Sequence, residues 1–373
     1  MSVNGGTVMI TTGGTGGHVF PGLAVAARLV ARGCRVFWLG TRDGMESRLV
    51  PQHGVDFEGL SFRGIRGKGL RTLLAGPFVL AAACVESLRI IRRRRPNVVL
   101  GLGGFASFPG ALMGVASGRP LLVHDANAVA GLANRILAYG ADGVLLGFPG
   151  AIRAHGRTKV EWVGNPLRDD IVDVDAPASR FAGREGALRL LVVGGSLGAA
   201  ALNAALPAAL ATMPPSSRPV TVHQAGERHI DALRAAYAGA GVAAECLPFI
   251  ADMAARYAWA DIVVCRGGAL TIAELAAVGL GAIVVPLPGA IADEQSANAR
   301  FLEAAGAAVV VPQSALEAGT AAIGGILAGL TRTQALTMAL AAHRLGKRDA
   351  AERVADACVT LARNDLARTQ GAA

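Results

Sequence analysis

Residues 7–18 read "TVMITTGGTGGH" and residues 188–199 read "LRLLVVGGSLGA". Each is an apolar, β-branched run that stops on Gly-Gly-(Thr/Ser)-X-Gly and opens into an Ala/Leu-rich helical pattern. A strand that empties into glycines before a helix offers backbone N–H groups and a helix N-terminus at the carboxyl end of a sheet. That is an anion site, and glycine lets a diphosphate approach the backbone. The repeat predicts a duplicated α/β unit, two doubly wound parallel sheets. A third loop of this kind is Gly101-Leu102-Gly103-Gly104. One such loop is equally a tight strand-to-helix turn. Three, at strand ends in two similar halves, point to two diphosphate-bearing ligands meeting in a cleft.

Working outward, short apolar runs alternate with helical stretches. Expected strands are 7–12, 35–39, 98–101, 121–124, 143–146 and 160–163, then 188–193, 219–224, 244–248, 262–265, 282–285 and 308–311. Helical patterns lie between them, as at 22–31 and 270–277. Unbroken apolar strands separated by helices indicate parallel sheets covered on both faces. Gly164-Asn165-Pro166 breaks the pattern and suggests a hinge, with residues 172–185 as a connecting segment.

The chain has 373 residues, 52% apolar and 17% charged, which suits two globular domains. No basic n-region with an apolar h-region opens it, so a signal peptide is not expected. Its longest apolar runs, 73–85 and 276–292, are too short for a spanning helix and contain Gly and Pro. Five scattered cysteines without a CxxC pair suggest reduced thiols and cytosol. No Cys/His cluster suggests zinc. The net charge of +9 belongs to the first half, which implies an anionic partner. With aromatics at only 5%, nucleic acid is not favoured.

The glycine loops exclude several chemistries. "GGTGGH" does not fit G-x-G-x-x-G, and the second strand ends at Leu39-Gly40-Thr41-Arg42 without an acid for a ribose. "GGSLGA" lacks the third glycine, so a nicotinamide or flavin enzyme is poorly supported. Neither Gly67-Lys68 nor Gly346-Lys347 has the glycine and hydroxyl residue of a phosphate-binding P-loop. In "CRGGALTIAE" (265–274) a strand ends at Gly267-Gly268 and a helix opens. Glu274, about one turn in, suits a ribose. Equally, it complements the helix dipole.

Taken together, these motifs resemble the MurG family of N-acetylglucosaminyltransferases. The matching stretches are "GGTGGHVFPGLAVA" (13–26), "RGKG" (66–69), "VVLGLGGFASFPG" (98–110), "NAVAGLANRILA" (127–138), "VGNPLR" (163–168), "LVVGGSLGAAALN" (191–203), the block 249–288 and "DEQSANARFLEAAGAA" (293–308). They run in family order over nearly the whole chain.

The resemblance implies a GT-B fold, two Rossmann-like domains around a deep cleft. Residues 1–165 would form the acceptor- and membrane-facing domain, with a C-terminal helix near 346–365 packing back on it. Residues 166–345 would form the UDP-GlcNAc domain. The implied reaction is inverting transfer of N-acetylglucosamine from UDP-GlcNAc to the 4-hydroxyl of N-acetylmuramic acid in lipid I, giving lipid II of peptidoglycan synthesis. By position, Ser196 would bond the diphosphate and Ile250 would present backbone to the uracil. Ala269, Leu270, Thr271, Ile272, Ala273 and Glu274 would line phosphates and ribose, and Gln295 would meet the sugar hydroxyls. Arg168 would reach phosphate. Thr15, Gly16, Gly17 and Asn127 would touch the sugar side of the donor. Gly14, Gly103 and Gly104 would hold the acceptor diphosphate.

Displacement at the anomeric carbon needs a base on the hydroxyl and charge stabilisation on the leaving diphosphate. His18 is the first choice as base, because a helix N-terminus keeps an imidazole neutral. Asp125 is the second. Alternatively, His18 only binds substrate or caps its loop. No metal or cofactor is expected.

The family attaches peripherally to the inner face of the cytoplasmic membrane. Residues 68–96 mix an apolar stretch with Lys68, Arg71, Arg89 and Arg92–Arg95, which suits an anionic surface at about 1 kcal/mol per charge. A core helix ending in a solvated Arg run explains the same residues.

Four positions depart from the family pattern. Asp125 stands where Glu is usual, Ala126 replaces a polar residue, Gly267 a Ser or Ala, and Gly289 a histidine. Two other readings remain open: a UDP-GlcNAc 2-epimerase-like enzyme, and an impaired UDP-sugar-binding relative.

Overall fold

The computed structural model describes residues 5–14, 16–62, 70–154, 156, 158–195, 198–289 and 293–371. The chain divides into two compact units, Met1–Arg168 with Arg348–Ala373, and Asp169–Lys347.

The first unit is a seven-stranded sheet: β1 (Thr7–Thr11), β2 (Arg35–Thr41), β3 (Asp56–Leu60), β4 (Val98–Gly101), β5 (Leu121–Asp125), β6 (Gly143–Leu146) and β7 (Lys159–Trp162). Its order is β3-β2-β1-β4-β5-β6-β7, and every pairing is parallel. The central strands are apolar on both faces because helices cover both. Val8, Ile10, Trp38 and Leu100 join one core with Val354, Ala355 and Cys358. Met9, Phe37, Leu39 and Val99 alternate with them into the other core. The C-terminal helix Ala350–Gly371 lies against the helix Gly16–Ala31, pinned by an Arg28–Glu352 ion pair at 2.5 Å.

The second unit is a six-stranded sheet: β8 (Arg189–Val193), β9 (Val220–Gln224), β10 (Glu245–Leu247), β11 (Ile262–Cys265), β12 (Gly281–Val284) and β13 (Ala308–Val310). Its order is β10-β9-β8-β11-β12-β13, again parallel throughout. In both sheets the order reverses between the first and fourth strands. The crevice at such a reversal, beyond the carboxyl ends, is where open α/β sheets bind ligands. All three sequence-identified glycine loops, and Gly267-Gly268, follow these four strands.

Two expectations need correction. β3 was not anticipated, because "DFEGL" alternates charged and apolar residues at a sheet edge. Residues 172–185 are no loose connector. They carry the helix Pro177–Phe181, and the buried Arg180 donates to the carbonyls of Asp175, Tyr257 and Val278 at 2.8, 3.2 and 3.1 Å. Nearby, the buried Asp261 takes ion pairs from Arg184 at 2.5 Å and Arg332 at 3.2 Å. These contacts fasten the segment to the second sheet.

Candidate active site

In the first unit the site forms at the carboxyl ends of β1, β4 and β5. The helix after β1 begins at Gly16, six residues earlier than its apolar periodicity suggested. Gly16, Gly17 and His18 therefore occupy its first turn rather than a loop. Thr12 Oγ1 donates to the Gly103 carbonyl at 2.8 Å and ties the first glycine loop to the second. Gly103 and Gly104 hold φ of 83° and 79°, left-handed values that glycine adopts without strain. A Cβ on Gly104 would lie 2.2 Å from the Gly13 carbonyl oxygen, so only glycine lets the two loops touch.

His18 lies beside this junction. A Cβ on Gly103 would sit 3.8 Å from His18 Nε2 and 3.2 Å from Asn134 Nδ2. His18 Nδ1 is buried without a hydrogen-bond partner. Burial pushes its pKa below the usual 6.5, while the Gly17 backbone and the Asp125 charge pull the other way. The ring is thus neutral at pH 7 and able to accept a proton.

Asp125 is buried. Its Oδ1 accepts from Asn127 N at 3.0 Å, and its Oδ2 from Gly131 N at 3.2 Å and Asn134 Nδ2 at 2.9 Å. Burial raises its pKa, and these hydrogen bonds oppose the rise. With both oxygens committed to residues 127–134, it organises that loop, which weakens it as a base. The shorter Asp thus makes its own contacts. Ala126 is buried, and its carbonyl accepts from Asn165 Nδ2 at 2.9 Å. Asn134 Oδ1 is buried without a partner.

Sequence reasoning missed Glu46, which is fully buried. Its Oε1 accepts from Thr41 N at 2.9 Å and Thr41 Oγ1 at 2.7 Å, and its Oε2 faces Gly14 N at 3.5 Å. A Cβ on Gly13, Gly40 or Gly44 would come within 2.4, 2.6 or 2.3 Å of the Glu46 side chain. Three glycines therefore clear space for one carboxylate, which braces the opening loop from the tip of β2. Arg168 lies over the Phe20 ring at 5.5 Å, on the helix that carries His18. Thr15 and the stretch 66–69 lie outside the described residues.

In the second unit, Gln224 clamps the glycine loop after β8. It accepts from Gly194 N at 3.1 Å and donates to Gly195 O at 3.1 Å. Gly195 and Gly198 hold φ of 85° and 76°. Ser196 lies outside the described residues. The helix Ala269–Val278 starts after Gly268 with no side-chain cap, so the amides of Ala269, Leu270 and Thr271 stay available to an anion. Ile272 and Ala273 continue that first turn and a half. Glu274 is not wholly open to a ribose, since its Oε2 accepts from Tyr257 Oη at 2.9 Å. Gln295 Oε1 accepts from Leu287 N at 3.0 Å, which turns its amide nitrogen to other partners. Ile250 buries its side chain in the loop after β10.

The remaining departures have local causes. A Cβ on Gly267 would lie 2.3 Å from the Gln295 carbonyl oxygen, so glycine brings these segments together. Gly289 sits at φ 72°, which strains any other residue.

Gly198→Ala is expected to be severe. Its Cβ would lie 2.1 Å from the Ala225 carbonyl oxygen, at a backbone angle L side chains avoid. Loop displacement should weaken by about 2 kcal/mol or more the UDP-sugar binding expected of this loop from the sequence. Calorimetric titration with UDP-GlcNAc checks this, and unchanged affinity would show that the loop is not used.

Beneath each site lies a buried histidine. His124 Nε2 donates to the Gly164 carbonyl at 2.9 Å, and burial lowers its pKa to about 4. His223 Nε2 meets Asn203 Oδ1 at 3.1 Å and its Nδ1 meets Tyr237 Oη at 2.9 Å; burial lowers its pKa to about 3. Asn203 Nδ2 donates to Ala225 O, so Oδ1 is the acceptor and His223 carries its proton on Nε2. Both histidines fold neutral and protonate more readily when unfolded. Their stabilisation is complete above pH 6.5 and drains away as pH falls towards 4 and 3. At pH 4.5 each should have lost on the order of 2–3 kcal/mol. Urea unfolding between pH 7.5 and 4.5 reads this as a falling midpoint, and a flat profile would refute it.

Two such parallel sheets, each with glycine loops at its switch point, are the architecture of the GT-B fold. The model of the glycosyltransferase family 28 N-terminal domain matches residues 8–146, and that of the family 28 C-terminal domain matches residues 189–354. The chain belongs to glycosyltransferase family 28. It is 52% identical over 360 residues, 96% of this chain and 97% of the other, to a Ralstonia nicotianae protein. That relative is named UDP-N-acetylglucosamine–N-acetylmuramyl-(pentapeptide) pyrophosphoryl-undecaprenol N-acetylglucosamine transferase. An Aromatoleum aromaticum protein of the same name is 54% identical over 356 residues, covering 95% and 98% of the two chains. The crystal structure of Acinetobacter baumannii MurG superposes with a TM-score of 0.81 at 36% identity, over 95% of this chain and 99% of that one.

Proposed function

We infer that this protein transfers N-acetylglucosamine from UDP-GlcNAc to the muramyl 4-hydroxyl of lipid I, forming lipid II in peptidoglycan synthesis. The observation that carries this reading is identity above 50% over nearly the full chain with transferases named for that donor and acceptor.

The residue roles below are our proposal. The helix N-terminus at Gly268–Thr271 and the loop Gly194–Gly198 hold the UDP diphosphate, with Ser196 in that loop. Ile250 presents backbone to the uracil, Glu274 meets the ribose, and Gln295 meets the sugar. In the first unit, Gly14, Gly103 and Gly104 hold the lipid I diphosphate, and Thr15, Gly16, Gly17 and Asn127 face the sugar. Neutral His18 takes the proton from the attacking hydroxyl. The carbon–oxygen bond to UDP breaks as the new bond forms, inverting α to β. Arg168 and the helix N-terminus offset the charge on departing UDP.

We also place the first unit on the inner face of the cytoplasmic membrane. Among the described residues no helix is long and apolar enough to cross a bilayer. The helix Leu70–Arg94 instead turns Ala83, Ile90 and Ile91 into the core and leaves Phe78 and Val85 exposed. Arg89, exposed on the same helix, adds positive charge beside them, which suits anionic lipid.

An epimerase is the alternative to test. Incubating the protein with UDP-GlcNAc alone should give neither N-acetylmannosamine nor rapid UDP release. Epimer formation without acceptor would overturn the transferase reading.

A further inference from the structure

The run Arg92-Arg93-Arg94-Arg95 is not a uniform basic patch. Arg93 and Arg94 turn one way, and both pair with Glu58 at 2.7 Å. Arg92 and Arg95, three residues apart, turn the other way and have no acidic partner among the described residues. There they line a cavity of about 520 Å³ with Arg119 and Ser117, floored by Ile91 and Met113. Arg119 reaches Asp365 at 3.2 Å, and that nearly buried carboxylate also takes Asn97 and Arg368. Its charge is therefore shared among three donors, one of them Arg119, which leaves Arg92 and Arg95 as the cations of the cavity with no acidic partner among the described residues. Arg119 Nε and Ser117 Oγ remain buried without partners. Arg95 holds a left-handed φ of 46°, which a non-glycine residue adopts only when its surroundings hold it there. Cations complement a helix C-terminus, but Arg93 and Arg94 already do so here.

We propose that Arg92, Arg95, Arg119 and Ser117 form a second anion pocket, for a phosphomonoester or diphosphate group whose apolar neighbour rests on Ile91 and Met113. Guanidinium forks with an adjacent hydroxyl match phosphate oxygens. The pocket lies at the amino ends of β4 and β5, whereas the catalytic loops leave their carboxyl ends, roughly 15 Å away along the strands. It is thus distinct from the transfer site and independent of the reading given to that site. The phosphate comes either from a free metabolite or from a lipid headgroup.

The test is calorimetric titration of the full chain with inorganic pyrophosphate, with UDP in excess to fill the nucleotide site. The wild type should bind. Pyrophosphate held by the Gly14, Gly103 and Gly104 loops is common to both proteins, so the readout is the difference: the double variant Arg92→Gln/Arg95→Gln should lose one binding event, weakened at least tenfold, while unfolding at the wild-type temperature. Ala116→Phe, which fills the cavity without removing charge, should weaken binding too. A second arm uses flotation on phosphatidylcholine vesicles containing phosphatidate. Release of the protein by free pyrophosphate identifies a lipid headgroup as the occupant. Vesicle binding indifferent to pyrophosphate, with the calorimetric result intact, identifies a soluble phosphate. Absence of pyrophosphate binding by the wild type, or equal binding by both variants, would overturn the pocket.

Discussion

His18→Ala should lower kcat by about 10²–10⁴, the usual contribution of a positioned general base, with UDP-GlcNAc affinity unchanged. The ring lies beside Gly103 and Gly104 in the first unit, while the loops we propose for the donor belong to the second. Its pKa is pushed down by burial, so it stays unprotonated through neutral pH. The rate should therefore be flat above pH 6.5 and fall as pH drops through a pKa below 6.5. Asp125 would give a different result. Its pKa is raised and its oxygens are engaged, so Asp125→Asn should disturb the loop 127–134 and raise the acceptor KM more than it lowers kcat. Steady-state kinetics of both variants from pH 5 to 9 separate the roles. A His18→Ala variant with wild-type kcat would remove the imidazole from the mechanism.

Glu46→Ala carries the second large effect. The substitution leaves the Thr41 amide and hydroxyl buried without an acceptor, in a space that three glycines keep open. Each unsatisfied group costs roughly 1–3 kcal/mol, so a loss of about 3–5 kcal/mol in the first unit is expected. Glu46→Gln is the more informative variant. Its amide oxygen still accepts from Thr41, but its NH₂ would face the Gly14 N–H where a carboxylate oxygen now lies. That change should spare most of the stability and raise the acceptor KM through the displaced loop. Denaturant unfolding and acceptor kinetics measured on both variants check this. A Glu46→Ala protein as stable as wild type would show that the carboxylate is not the brace.

The fold was legible where chemistry is local. Parallel strands covered on both faces read as unbroken apolar runs, so twelve of the thirteen strands among the described residues lie at or within two residues of the expected positions. β3 escaped because its exposed side carries Asp56 and Glu58, whose partners Arg93 and Arg94 lie far along the chain. The glycine loops were legible as strand-to-helix turns at the carboxyl ends of the central strands, because their spacing fixes strand, turn and helix together. Their braces were not. Glu46, Gln224 and Asn134 act on backbone groups brought near only by the folded sheet, and nothing in "GTRDGMESRL" marks one acid as buried. The helix start at Gly16 was hidden by Gly16 and Gly17, which disfavour helix in isolation.

The most direct measurement is transfer of radiolabelled N-acetylglucosamine from UDP-GlcNAc to a short-chain lipid I analogue, with His18→Ala beside it. The account predicts a labelled disaccharide product, β-linked at the muramyl 4-position, that falls by at least two orders of magnitude in the variant. Retained UDP-GlcNAc binding with no transfer by the wild type would contradict it and leave a protein that binds the sugar nucleotide without using it.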